Sequence, residues 1–135
     1  MIEMKKILII LCGCLMAACG INSKQDMVDK YDSRIVRLAK LEIYEEFLEE
    51  YLDFVGEVGR ESVAKEEGVI TLFSVQEKEN PCRITILEIY ASNEAYEYHI
   101  TTPHFQRYKQ GTLHMVKHLE LIDGEALVPE MKIKE

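Results

Sequence analysis

The sequence predicts an α+β domain with the element order β-α-β-β-α-β, a ferredoxin-like antiparallel sheet with its helices on one face. Three observations carry this. The apolar period switches from two to three-and-four and back again along the chain. Two β-rich runs are separated by a short polar turn, and a second helical stretch is followed by a last alternating run. With 135 residues the chain has room for one such domain.

The elements follow in order. Arg34 to Ile43 alternates, placing Ile35, Arg37, Ala39, Leu41 and Ile43 on one face and Val36 and Leu38 on the other, which predicts a strand. From Tyr44 to about Glu66 the period lengthens: Phe47, Leu48, Tyr51, Phe54, Val55 and Val58 share one side, and Glu45, Glu46, Glu49, Glu50, Asp53 and Glu57 fill the other. That is an amphipathic helix with a solvated acidic face. Gly56 and Gly59 weaken it by about 1 kcal/mol each, so a kink or a close contact is expected there.

Glu67-Gly68 ends the helix. Val69 to Gln76 and Arg83 to Tyr90, joined through Glu77 to Cys82 with Asn80-Pro81, form a hairpin. Ser92 to Thr102 reads as a second helix with Ser92 at its N-terminus, stopped by Pro103. Pro103 to Gln110 opens a further helical segment ending at Gly111, and Val116 to Ile122 supplies the last strand, with a possible short edge strand at Ala126 to Val128. The strands carry apolar residues on both faces, for instance Ile84, Ile86 and Tyr90 against Leu87 and Ile89. Helices cover one face, and a second copy of the chain is the economical cover for the other.

The N-terminus is not part of this domain. Lys5 and Lys6 precede the apolar run Ile7 to Leu11 and then Leu15-Met16-Ala17-Ala18-Cys19, a run too short for the roughly 20 residues that span hydrocarbon but suited to a secretory signal. Ala17 and Ala18 before Cys19 resemble the bacterial lipobox, with Met16 where Leu is usual, and Cys14 is a competing site. The expected organisation is a signal peptide over 1–18, a polar tether over 19–32, the domain over 33–128 and a tail over 129–135. A lipid on Cys19 then ties the protein to a membrane of the bacterial cell envelope, on its periplasmic or outer face. With Cys12 and Cys14 removed and Cys19 acylated, Cys82 is the one thiol left.

Charge and motifs exclude several functions. The net charge is −8 and becomes more negative without the leader, which argues against nucleic acid as a partner. No Walker loop, GxGxxG, CxxC or HExxH occurs. The four histidines, His99, His104, His114 and His118, fall in the last third, but their spacings do not favour a metal site.

The distinctive segment runs from Glu88-Ile-Tyr90 through Ala95, Tyr96, Tyr98 and His99 to Thr102-Pro103-His104-Phe105. A strand ending in an acid and an aromatic, a helix with Ala and His four apart, and then Thr-x-His-Phe resembles the antibiotic biosynthesis monooxygenase family, particularly its quinol-monooxygenase-like members. Glu66-Glu67-Gly68-Val69 stands where such proteins often have Glu-Pro-Gly and an apolar residue. The resemblance covers about residues 34 to 124. It implies a homodimer with facing sheets, a dimeric α+β barrel. It also implies oxygenation of a small aromatic, quinol-like substrate without metal, flavin or haem. The chain has no Trp, so a mechanism needing a pocket indole is not carried over.

Such chemistry needs a base to remove a phenolic proton. His99 is the first candidate, since imidazole titrates near about pH 6.5; its other role would be to orient the pocket while bonded to Glu88 or a backbone carbonyl. His104 is a second candidate, capping its helix or facing the cavity, and Glu88 a third, orienting an imidazole or binding a hydroxyl. Phe73, Tyr90, Phe105 and Tyr108 are candidate walls for a flat substrate. The alternative to an enzyme is a non-catalytic, lipid-anchored module that holds a small apolar molecule in an inter-sheet cavity.

The anchor has a direct test. Cys19→Ala should move the protein from the detergent to the aqueous phase in a two-phase partition with the domain still folded, since each buried acyl CH₂ contributes roughly 0.8 kcal/mol; unchanged partitioning would exclude acylation at Cys19.

Overall fold

The computed structural model describes residues 33–128. The expected signal peptide, Cys19, the expected tether and the segment from Pro129 lie outside the described residues. Four strands form one antiparallel sheet: β1 (Ile35–Ile43), β2 (Val69–Gln76), β3 (Arg83–Tyr90) and β4 (Val116–Gly124), in the spatial order β2-β3-β1-β4. A 3₁₀ turn at Glu45–Phe47 leads into α1 (Leu48–Lys65), and α2 (Asn93–His99) and α3 (Pro103–Thr112) separate β3 from β4. This is the expected ferredoxin-like α+β fold.

Pairing in register places Ala39 opposite Ile86, and Leu41 opposite Ile84 and Leu119. The side chains of Ala39, Leu41, Ile43, Ile84 and Ile86 therefore share one face, where they bury against Tyr51, Val55 and Met115. The helix α1 runs unbroken through Gly56 and Gly59. The opposite face carries Val36, Leu38, Leu87 and Ile89, all half-buried, with Phe73 and Val75 more than half-exposed or at half exposure.

Three boundaries differ from the sequence reading. Helix α2 ends at His99, three residues before Thr102. Its last carbonyls are taken by hydroxyls: Thr101 Oγ1 donates to the Tyr98 carbonyl at 2.7 Å and Thr102 Oγ1 to that of His99 at 2.8 Å. Helix α3 continues through Gly111 to Thr112. Gly111 is a packing residue rather than a terminator, since a Cβ there would lie 2.6 Å from the Phe54 ring. No strand follows Gly124 among the described residues.

The turn between α1 and β2 is equally tight. The Gly68 carbonyl accepts from the Ala91 amide at 2.8 Å, and a Cβ on Gly68 would lie 2.5 Å from the Cβ of Ala95 in α2. Gly68→Ala should therefore cost about 1–3 kcal/mol in urea unfolding through overpacking. Gly124→Ala, with nothing within 4 Å of the added Cβ, should change stability by less than about 0.5 kcal/mol.

Candidate active site

Between the helices and the sheet of the single chain lies a cavity of about 480 Å³. Its apolar walls include Leu41, Val55, Leu72, Ile86 and Phe105, and its polar end is formed by Arg37, Glu88, Tyr90, Tyr96 and His99. It opens beside β4, where Leu119 and Leu121 line it and are about half exposed. The helices cover β2 and β3 but leave the helix-side face of this edge strand free. The cavity thus lies within one chain, not between two sheets as the sequence reading supposed.

His99 is the last residue of α2 and is buried. Its ring packs between Phe105, edge-on at 4.8 Å between centroids, and Tyr90, at 5.2 Å. Its Nδ1 lies 3.0 and 3.1 Å from the two carboxylate oxygens of Glu66. Its partner is therefore Glu66 at the end of α1, and not Glu88. Nε2 has no protein partner, and Ser62 Oγ is the one fully enclosed side-chain polar atom without a partner among the described residues. Nε2 is accordingly the nitrogen left for the cavity that His99 lines. Burial pulls the His99 imidazole below its ordinary pKa, a shift opposed by the hydrogen bond and charge of Glu66.

His104 does not face the cavity, nor does it cap α3. Thr102 caps that helix, its Oγ1 accepting from the Phe105 amide at 3.3 Å, and Pro103 occupies the first turn. The His104 ring is buried behind His99, with Nε2 at 2.5 Å from Glu66 Oε1 and Nδ1 at 3.6 Å from Glu61 Oε2. The ligand-type atoms of Glu66, His99 and His104 all lie within 4.8 Å of one another. The sequence spacing had argued against such a cluster, but the tight α2–α3 turn folds both rings onto one carboxylate. The shared Glu66 oxygen already bonds both rings at hydrogen-bond distances, so the geometry is that of a buried hydrogen-bonded triad.

Glu88 does line the cavity, where its Oε2 accepts from the Tyr90 hydroxyl at 3.0 Å. Burial raises the Glu88 carboxyl above the usual carboxylate range, against the Tyr90 hydrogen bond and the Arg37 charge. Burial likewise pushes the Tyr90 hydroxyl well up, with the Glu88 carboxylate adding to it. Arg37 is held by Asp123 Oδ1, 2.6 Å from its Nε, with its guanidinium 5.1 Å from the centroid of Tyr96. Tyr108 shares a 2.7 Å hydroxyl contact with the fully buried Tyr51.

Of the expected wall residues, Tyr90, Phe105 and Tyr108 line the cavity. Phe73 does not: it pairs with Leu87 on the opposite face and is 56% exposed. A register shift between Val69 and Thr71 inserts Ile70 and reverses the side-chain parity of the strand. Glu66, Arg37 and Tyr96 are the site residues to which sequence reasoning gave no role. The signal for Glu66 was its place just before Gly68 in the Glu-Glu-Gly turn.

The family model described as antibiotic biosynthesis monooxygenase matches residues 34–111. A protein of Bacteroides thetaiotaomicron assigned to the antibiotic biosynthesis monooxygenases is 49% identical, with a TM-score of 0.76, over 77% of this chain and 99% of that one. A Lactobacillus acidophilus protein assigned as a monooxygenase is 32% identical, TM-score 0.65, over 67% of this chain and 43% of its own longer chain. A Nitrosomonas europaea protein at 15% identity, TM-score 0.67, over 72% of this chain and 93% of its own, shares the fold. No curated protein matches the chain. A family model that spans most of the folded domain, and a relative with half its residues identical over nearly its whole length, establish that this chain belongs to the antibiotic biosynthesis monooxygenase family.

Proposed function

We propose that the chain is a monooxygenase that oxidises a quinol or polyphenol with O₂, using no metal or flavin of its own, with His99 as the base. The observation that carries this is the aim of His99: Nδ1 is engaged by a carboxylate and Nε2 is left for an apolar cavity large enough for a flat aromatic molecule. Neutral imidazole removes the phenolic proton, and the electron-rich anion then reacts with O₂. A quinol gains one oxygen atom to become a hydroxyquinone, and the second oxygen atom leaves as water, with one hydrogen returned by His99 and the other released from the ring carbon that is oxygenated. Tyr90 and Glu88 offer a hydrogen-bonding pair to a second substrate oxygen. Phe105 and Tyr108 supply ring faces for the aromatic body.

The active form in this reading is a homodimer. Its contact is the second sheet face, with Phe73, Val75, Leu87 and Val36 buried between two copies, and the lipid on Cys19 holds it at the cell envelope. An apolar face of this kind requires a cover. The leader-free domain should sediment as a dimer at micromolar concentration; a folded, soluble monomer would remove this part of the reading.

Catalysis is tested by oxygen consumption against a panel of reduced quinones. His99→Ala should lower kcat by roughly 10² to 10⁴, the usual worth of general base catalysis. As a base His99 is inactive when protonated, and because burial depresses its pKa the acid limb of the rate profile should lie below about pH 6.5. Stability follows the same sign. An unfolded imidazole takes up a proton that the native one refuses, so stability declines as pH falls below about 6.5 towards the native pKa. Full activity in His99→Ala would exclude it as base, and saturable binding of a quinol without oxygen uptake would favour the non-catalytic module.

A further inference from the structure

Which nitrogen of His99 carries its proton decides whether the ring can act as a base towards the cavity. Glu66 is 2% exposed at its side chain and His99 3%, so neither group is served by bulk water. A carboxylate is an acceptor only, and an imidazole nitrogen within 3.1 Å of both its oxygens must present a proton to it. The neutral ring has one proton. If that proton sits on Nδ1, Nε2 keeps its lone pair, and Nε2 is the atom left for the cavity.

We infer that Glu66, itself held by His104, is a positioning residue that fixes His99 in the tautomer protonated at Nδ1 and stabilises the ring when Nε2 takes up a proton. The inference rests on the reading of His99 as base and names the group that makes it one. Three features of the fold support it. Glu66 follows directly on α1 and its backbone amide is tied to the Ser62 carbonyl at 2.9 Å, so the carboxylate projects from a rigid element. His104 Nε2 at 2.5 Å supplies a second donor to the same oxygen, so the carboxylate cannot swing away without leaving a charge unpaired in the interior. Thr102 then couples the two rings: its hydroxyl donates to the His99 carbonyl at 2.8 Å and accepts from the first turn of α3, the helix that carries His104.

The proton balance is local. The substrate hydroxyl loses a proton to Nε2, giving an imidazolium whose charge lies beside Glu66. The same proton returns from Nε2 to the oxygen atom that leaves as water. The second hydrogen of that water comes from the ring carbon that gains oxygen, so the one proton that passes through His99 is the one it took, and Glu66 acts on the ring alone. The carboxylate–imidazole pairing is the one that fixes tautomer and stabilises imidazolium in hydrolytic triads, set here against an oxygenase-type cavity.

The outer side of His104 faces Glu61, whose carboxylate is pulled below its usual range by a hydrogen bond from Lys65 at 2.9 Å. Arg107 also approaches Glu61, at 3.5 Å, and pairs with Glu57. These exposed charges surround the His104 end of the triad and do not reach the cavity.

The experiment is ¹⁵N imidazole NMR on the leader-free domain, Ser33 to Glu135, with Glu66→Gln as the variant and oxygen consumption as the second readout. The wild-type spectrum at pH 7.5 should show His99 protonated at Nδ1 and bare at Nε2; a proton on Nε2 overturns the inference whether or not any quinol is turned over. In Glu66→Gln the single tautomer should be lost and the His99 titration should move to lower pH, because the group that raises it is gone. With any quinol that the wild type oxidises, kcat should fall by about 10² to 10⁴ with KM within about threefold. A variant that keeps both tautomer and kcat refutes the role, and so does stoichiometric Zn²⁺ binding by the wild type that Glu66→Gln abolishes, which would make the triad a metal site. Should the variant not fold, the wild-type tautomer still decides.

Discussion

A carboxylate enclosed by protein is costly unless its oxygens are bonded, and Glu66 is such a group. Its position at the junction of α1 and β2, with partners 33 and 38 residues further along the chain, makes it the knot of the fold's active end. The end of α1, the last residue of α2 and the first turn of α3 all meet on its oxygens. This pairing and the packing of the ring between Tyr90 and Phe105 together aim the cavity side of His99. The short turn at Gly68, closed against Ala95, brings β2 away from α1 without moving Glu66 off the ring it serves. The hydroxyl cap at Thr102 fixes the angle between the two histidine-bearing helices. These contacts concern different elements, yet each would lose its purpose if the carboxylate were removed.

The fold was legible because it is written in period and parity. The alternation of Ile35 to Ile43, the three-and-four spacing from Phe47 to Val58 and the turn residues after Gln76 are local signals, and β1, α1 and the hairpin follow them closely. The failures share a cause. Phe73 is placed on the wrong face by any count of alternate residues from the buried Val69, because the bulge at Ile70 adds a residue that parity cannot see. Gly111 reads as a helix stop because glycine usually is one, whereas here the absence of a side chain admits the Phe54 ring. Glu88, one of the two partners considered for His99, is engaged instead by its own strand neighbour two residues on, Tyr90. In each case a long-range contact or an irregular pair overrides a local rule.

The two faces of the sheet divide the work. On the helix side the chain encloses its own cavity, with the polar groups gathered at one end and the apolar edge of β4 left open. On the other side lies a band of Val36, Leu38, Leu87, Ile89, Phe73 and Val75 that no helix among the described residues covers. Period-two alternation permits this separation, since adjacent residues of one strand serve different faces: Leu87 and Glu88 belong to the outer face and the cavity respectively. The residues of the outer face and those that line the cavity are therefore different sets.

The protonation states within the cavity follow from the same economy. Burial works against the charged forms of four groups that line it: it lowers His99 and raises Glu88, Tyr90 and Tyr108. A cavity so arranged favours neutral partners at rest and makes any charge formed in it expensive, except where an opposite charge is already fixed. Glu66 stands behind the ring rather than in the cavity itself, and Arg37, bound by Asp123, stands at its polar end. A proton drawn onto His99 from a substrate hydroxyl leaves an anion on the substrate and a cation on the ring, with the carboxylate beside the cation. An exposed histidine would lack this support, because its charge would be solvated equally well with or without a substrate, and no geometry would choose which of its two nitrogens held the lone pair.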